Sequence, residues 1–301
     1  MWLDCVIIGG GPAGLNAALV LGRSRRHVLL FDHNKPRNAV THASHGFLTR
    51  DGISPRQFRK LAHKDIEQYP TVTIKPDKVT QVLPLQAGFQ VKTSNGVRFL
   101  TRTMILATGL KEILPQVSGI GDFYGRSLFS CPYCDGWELR DKPLVVISEA
   151  SNAFHMAKIV YNWSKDVLVC THGSNRLTAE QLRQLERKGI QVQTMRIKAL
   201  VGDNGRLSSI VFSDNAEVKR AGGFVSPKWD QAAAFGEALG CAMTPQGGLV
   251  TDGFGRTSVR GIYAAGDSSI IAPAQLIIAA GEGSKAAIGV NTDLTHEDFD
   301  L

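Results

Sequence analysis

Long apolar runs are missing from this 301-residue chain. None approaches the ~18 residues of a membrane-spanning helix, so an integral membrane protein is not expected. The first residues lack the basic start, apolar stretch and small-residue cleavage site of a secretory signal. They enter a strand pattern directly, Asp4 to Ile8, and the expected location is cytoplasmic. No short tandem repeat is present, which argues against a solenoid. Nor is there a nucleic-acid reader motif or an interleaving of aromatic with basic residues, so no nucleic-acid partner is expected. Cysteine is scarce: five, an odd number, with one close pair. That excludes a disulfide-stapled scaffold and turns attention to redox chemistry or metal binding. A second CxxC and an HxxxH are both absent. Zinc would therefore lack two of its ligands, and no metal is expected.

What is present reads as a two-domain α/β chain, at roughly 100–200 residues per domain. The composition, 43% hydrophobic and 20% charged with 31 glycines, is ordinary for a globular protein. Net charge is +7, from 34 basic and 27 acidic residues, which favours acidic partners through long-range steering. The densest basic run, Arg23-Ser24-Arg25-Arg26, reads as a solvated helix C-terminus, where cations suit the dipole.

Cys5 to Ile8 is a continuous apolar run, as in a strand buried on both faces. A glycine loop, a helix from Leu15 and the strand Val28 to Asp32 complete a βαβ unit. A helix is expected over 54–69, short strands over 72–98, and a buried strand from Met104 ending in Ala107-Thr108-Gly109. Beyond Pro115 a loop carries Cys131-Pro132-Tyr133-Cys134. A second βαβ pattern follows: strand 143–148, helix 152–163 and strand 166–170. A helix over 178–188, strands and hairpins over 190–225 and a helix of about 275–290 come next. The polar, acidic tail 291–301 is expected to be disordered. A second possibility is that its end, Phe299-Asp300-Leu301, folds over a site in a partner subunit.

Three motifs carry chemistry. In Gly9-x-Gly11-x-x-Gly14, Gly9 permits a tight turn, Gly11 lets backbone approach a pyrophosphate and Gly14 lets helix pack on strand. The diphosphate would sit at a helix N-terminus, where free N–H groups favour negative charge. Asp32, 18 residues past Gly14, stands where a ribose-binding carboxylate belongs. Gly266-Asp267 follows a buried apolar strand and offers a carboxylate to a ribityl chain or a cap to a helix. The CxxC puts two thiols within bridging reach. If Cys134 starts a helix, the dipole lowers its pKa. Asp135 reads as a group that exchanges a proton with the leaving thiolate and, compatibly, as a helix cap or first-turn acid. Phe129, Tyr133 and Trp137 flank the pair and read first as core packing, second as a shield for a cofactor ring. Cys5, Cys170 and Cys241 read as buried hydrophobes.

Gly9-Gly10-Gly11-Pro12-Ala13-Gly14, Ala107-Thr108-Gly109, Cys131-Pro132-Tyr133-Cys134-Asp135, Gly266-Asp267, and Gln275 with Ala279-Ala280-Gly281 come in this order. Together they resemble the low-molecular-weight thioredoxin reductase family along essentially the whole chain. The resemblance implies an α/β fold of two Rossmann-like three-layer domains, the second inserted in the first. It implies an FAD-binding domain at 1–113 and 241–301, a pyridine-nucleotide-type domain with the CxxC at 114–240, and a homodimer. It further implies FAD contacts from Gly9, Gly11, Pro12, Ala13, Gly14, Asp32, Ala107, Thr108, Gly109, Gly266, Asp267, Gln275 and Leu276. Cys134 would exchange with the flavin, Cys131 would attack the substrate disulfide, and Asp135 would move the proton.

The second nucleotide loop departs from the family. Where GxGxxA belongs stands Ser148-Glu149-Ala150-Ser151-Asn152-Ala153, with both phosphate-approach glycines missing. Where an arginine cluster would read a 2′-phosphate stands Thr171-His172-Gly173-Ser174, with no cation to do so. NADPH is therefore not the expected reductant, although an atypical loop that still serves an NADPH-dependent thioredoxin reductase is an alternative. The resemblance narrows to NADPH-independent relatives. One branch is flavin-linked reductases fed by ferredoxin or a second flavin. The other is dithiol oxidases of the gliotoxin and holomycin type, which pass electrons to oxygen. Those oxidases often carry His after the second cysteine; Asp135 here favours the reductase-like side. Expected partners are a thioredoxin-like protein or a small disulfide or dithiol, with an acidic ferredoxin as a further candidate.

Overall fold

The computed structural model describes residues 2–300. In chain order the first elements are β1 (Trp2–Ile8), α1 (Pro12–Arg23), β2 (Val28–Phe31), α2 (Pro55–Ile66), β3 (Val72–Lys75), β4 (Val79–Leu85), β5 (Gly88–Thr93), β6 (Arg98–Leu106) and β7 (Leu110–Ile113). Then come α3 (Ile120–Phe123), β8 (Leu128–Phe129), α4 (Pro132–Asp135), β9 (Leu144–Ile147), α5 (Ala153–Val160), β10 (Val167–Cys170), α6 (Ala179–Glu186) and β11 (Gln191–Gln193). The rest are β12 (Ile197–Asp203), β13 (Arg206–Phe212), β14 (Glu217–Lys219), β15 (Gly222–Val225), β16 (Lys228–Gln231), α7 (Phe235–Ala238), β17 (Ile262–Ala264) and α8 (Leu276–Phe299). Among the described residues no helix is long and apolar enough to cross a membrane.

The chain forms two compact units. Residues 1–39, 46–111 and 229–301 make one; residues 40–45 and 112–228 make the other. The first unit holds a seven-stranded sheet in the order β3-β2-β1-β6-β5-β4, with β17 also on β6. Pairings of β1, β2, β3, β6 and β17 are parallel, and β4–β5 and β5–β6 are antiparallel. The parallel strands run Val/Ile/Leu-rich because both faces are buried: α1 and α8 pack on one, and residues of β4, β5 and the 235–249 segment on the other. Cys5, Val6 and Ile7 are completely buried, each such aliphatic contributing roughly 1.5–3 kcal/mol against exposure. On one face α1 and α8 pack so closely that a Cβ on Gly283 would fall 2.0 Å from Ala13 O; only glycine allows that approach.

The second unit holds a five-stranded parallel sheet, β11-β10-β9-β15-β8, and an antiparallel sheet, β12-β13-β14. Both units are therefore mixed α/β with parallel sheets, as the two βαβ patterns imply.

Three local expectations fail. The helices expected over 54–69 and 152–163 end at Ile66 and Val160, and the residues after each turn out of it. The acidic tail is not disordered: α8 runs to Phe299. Asp298 bonds Arg26 Nη1 at 2.7 Å and Arg102 Nη2 at 2.7 Å, and Glu297 bonds Arg260 Nη2 at 2.8 Å. Acids that read as solvating residues are the counter-charges of arginines far away in sequence. Leu301, part of the end expected to fold over a site, lies outside the described residues.

Candidate active site

The first group of chemistry-bearing residues gathers at the carboxyl ends of β1, β2, β6 and β17, where the strand order turns outward on both sides of β1 and β6. That is the usual ligand crevice of an open parallel sheet. Three glycines shape it differently. Gly9 has φ +115°, and a Cβ there would fall 2.2 Å from Ala107 O. A Cβ on Gly14 would fall 1.8 Å from Gly9 O, so the third glycine sets helix against loop. A Cβ on Gly11 would meet no atom within 4 Å. The space beside Gly11 is open, and Gly11 is the N-cap of α1 with no side chain capping it and Pro12 just inside. The free N–H groups and helix dipole beside Ala13 make an anion cradle. The residues present fit the diphosphate of a dinucleotide.

Asp32 stands at the end of β2, 7% exposed. Its Oδ1 accepts from Asn34 N at 2.9 Å, and its Oδ2 accepts a short bond from Arg59 Nη2 on α2. His63 Nε2, one turn further along α2, lies 3.8 Å from the same oxygen. Arg59 Nε and His63 Nε2 are buried without a hydrogen-bond partner. Buried orphans of this kind call for an explanation, and a bound polar ligand beside Asp32 supplies one. Sequence reasoning missed Arg59 and His63; their i, i+4 spacing on one helix face was the available signal.

Ala107, Thr108 and Gly109 form the turn after β6, with Gly109 at φ +70°. Ser268, fully buried, accepts from Gly109 N at 2.8 Å and lies 3.2 Å from Thr108 Oγ1. That serine ties the turn to Gly266, whose own Cβ would fall 2.9 Å from Ala13 Cβ. Asp267 accepts from Arg37 Nη2 at 2.9 Å, and that guanidinium sits 5.2 Å over the Trp229 ring. Gln275 is the N-cap of α8 and Leu276 its first residue.

The second group lies in the other unit. Cys131 and Cys134 form a disulfide with Cα atoms 5.3 Å apart. Cys131, not Cys134, is the N-cap: α4 is a single turn with Pro132 first and Cys134 third. The expected dipole effect on Cys134 is corrected accordingly, since one turn carries little macrodipole. Gly136 closes the turn, donating to Pro132 O at 2.8 Å, and a Cβ there would strike the Trp163 ring at 2.7 Å. Burial pushes the Asp135 carboxyl up to about 7; His45 opposes that rise and Glu138 adds to it. A carboxyl so placed is able both to give and to take a proton near neutral pH. Core packing holds for Phe129 only. Tyr133 is 62% and Trp137 65% exposed; Tyr133 meets Trp163 edge-on and Arg140 lies over Trp137 at 4.0 Å.

The third group is the loop after β9. Ser148 is fully buried, its Oγ donating to Asn152 Oδ1 at 2.9 Å and accepting from Ala150 N at 3.2 Å. Ser174 Oγ donates to Glu149 O at 2.9 Å, and Thr171 Oγ1 donates to Ser174 O at 2.7 Å. His172 Nδ1 accepts from Ile197 N at 2.9 Å, and Glu149 Oε1 lies 3.9 Å from its Nε2. The Ala150 N–H that would face a phosphate is already bonded to a side chain. One cation the sequence order hid is Arg196, whose Cγ lies 3.4 Å from where a Gly173 Cβ would be. Cys5, Cys170 and Cys241 are buried. Burial pushes the first two thiols up to about 12 and raises the third, so they stay protonated and unreactive.

The profile of the pyridine nucleotide-disulphide oxidoreductases matches residues 3–283. The chain is similar to the crystal structure of a Bacillus anthracis protein described as a thioredoxin reductase, TrxB. The two are 44% identical with TM-score 0.95, over 99% of this chain and 100% of that one. It is similar to the crystal structure of HlmI, at 34% identity and TM-score 0.93 over 99% and 94% of the two chains. Thioredoxin reductase aclD of Aspergillus oryzae is 30% identical over 98% of this chain and 97% of its own length.

Proposed function

The chain belongs to the pyridine nucleotide-disulphide oxidoreductase family and is thioredoxin reductase-like. On that premise we propose that it is an FAD-dependent thiol-disulfide oxidoreductase whose Cys131–Cys134 pair exchanges electrons with the flavin, with no ordinary role for NADPH. The observation that carries the proposal is the disulfide on its one-turn helix beside the protonatable Asp135. The side-chain-filled loop at Ser148 supports NADPH independence, because its hydrogen-bonding groups are already used internally.

Bound FAD supplies two-electron exchange with a dithiol. Gly11, Pro12, Ala13 and Gly14 would hold its diphosphate, Asp32 a ribose, and Asp267, Gln275 and Leu276 further contacts. The domain assignment, 1–113 with 241–301 for FAD and 114–240 for the cysteine pair, is part of this proposal, as is a homodimer. In the reducing direction a Cys131 thiolate attacks a substrate disulfide, Cys134 resolves the mixed disulfide, and Asp135 protonates the departing thiolate. The same residues run backwards as a dithiol oxidase with oxygen as final acceptor; Asp135 after the second cysteine favours the reductase side. A thioredoxin-like protein or a small disulfide is the substrate class, and an acidic ferredoxin is the electron-donor class.

Anaerobic mixing with NADPH should leave the flavin band near ~450 nm largely intact, whereas dithiothreitol should bleach it. Rapid full bleaching by micromolar NADPH overturns NADPH independence and makes Arg196 the residue to test for 2′-phosphate recognition. Cys134→Ser should abolish bleaching by dithiothreitol; wild-type speed in that variant refutes the role of the pair.

A further inference from the structure

Six residues, 40–45, belong to the unit that holds the cysteine pair, although the chain on both sides of them belongs to the other unit. The segment is seated closely there: a Cβ on Gly125 would fall 2.6 Å from Val40 O. Its last residue, His45, places Nε2 3.7 Å from Glu138 Oε1, with side-chain exposures of 22% and 43%. Glu138 lies three residues past Asp135, in the turns that follow α4. The other charged groups nearby are engaged elsewhere: Arg140 lies on the Trp137 ring and Glu112 accepts from Ser130 Oγ at 3.2 Å. Neither His45 nor Glu138 takes part in the exchange of sulfur bonds itself.

We propose that His45 and Glu138 are positioning residues, a charge pair that governs when Asp135 holds a proton during disulfide exchange at Cys131–Cys134. The inference rests on the reading of Asp135 as the proton carrier. In the step concerned, a substrate thiol gives its proton to the Asp135 carboxylate and its sulfur bonds to Cys131 Sγ. The Cys131–Cys134 bond breaks, its electron pair leaves on Cys134 Sγ, and Asp135 passes the proton to that thiolate. One S–S bond forms, one breaks, and the proton is conserved. Asp135 must be charged to begin and neutral halfway. A protonated His45 favours the charged form and Glu138 the neutral one, in line with their opposite influences on this carboxyl.

The test is the pH profile of flavin reduction by dithiothreitol in the holoenzyme. Asp135→Asn should flatten the acidic limb. His45→Ala should move that limb to higher pH, and Glu138→Gln should move it to lower pH, each by roughly half to one unit. Opposite shifts are not what two merely structural defects produce. If Asp135→Asn leaves the limb in place, the reading of Asp135 falls and this inference with it. If Asp135→Asn flattens the limb but the other two variants leave it unmoved, or move it the same way, only the inference is overturned. Should His45→Ala fail to fold, His45→Gln carries the same expectation. Alkylation of the reduced cysteines by iodoacetamide across the same pH range gives a readout free of the flavin.

Discussion

Gly11 and Gly14 sit three residues apart and are glycine for different reasons. A methyl at Gly14 has no room, 1.8 Å from Gly9 O, whereas a methyl at Gly11 meets nothing of the protein. Gly14→Ala should therefore destabilise the fold by about 1–3 kcal/mol or more, seen as a lower denaturant midpoint. Gly11→Ala should leave that midpoint unchanged and weaken FAD binding at least ~tenfold, about 1.4 kcal/mol, in a flavin fluorescence titration. Asp135 gives a prediction of another kind. Its folded-state pKa, about 7, lies above the ordinary carboxylate value, so the folded protein holds the proton longer than the unfolded chain. Stability from this group is fully present below about pH 4 and is lost as pH rises through about 7. Denaturant titrations at intervals across that window should show wild type losing ground to Asp135→Asn as pH rises. At this scale the glycines, Asp32 and the cysteine pair were legible because each lies in a short local motif. Arg59, His63 and Arg196 were not, because each meets its site only through the fold of a remote segment.

Among the elements, β1, α1 and β2 could be read directly, since a fully buried strand, a glycine turn and an amphipathic helix each leave a local pattern. The last two turns of α8 could not. Their residues, polar and acidic, satisfy arginines on other elements: Asp293 holds Arg256 through two bonds of 2.7 Å and accepts from Tyr263 Oη at 2.5 Å. Local composition carries no record of such partners. The difference is measurable. Deleting residues from Asn291 onward should lower the thermal midpoint by several degrees, because Arg26, Arg102 and Arg256 keep only Asp4 or Asp252 and the Tyr263 hydroxyl loses Asp293, each lost bond costing about 1–3 kcal/mol where buried. A disordered tail would give no change. Tyr133 on the one-turn α4 and Trp137 just past it repeat the lesson: both are exposed, against the usual burial of aromatics.

For the molecule as a whole, the net charge of +7 bears on association and not on the fold. Turnover with an acidic protein partner should fall several-fold as salt rises from about 0.05 to 0.5 M, where the Debye length shrinks, while turnover with a small neutral dithiol stays level. Equal salt dependence for both would remove electrostatic steering from the account. The fold class followed from two βαβ patterns, but the lodging of residues 40–45 in the cysteine-bearing unit had no sequence signature, being a matter of where a loop comes to rest. That lodging has an evolutionary and engineering consequence. A gene fragment for residues 112–228 would encode the disulfide and Asp135 yet omit both His45 and the Val40 backbone that packs beside Gly125. The cysteine-bearing unit is thus not a portable cassette: grafted onto another protein it would arrive without its histidine, and recombination that respects its function must carry two separate stretches of the chain together.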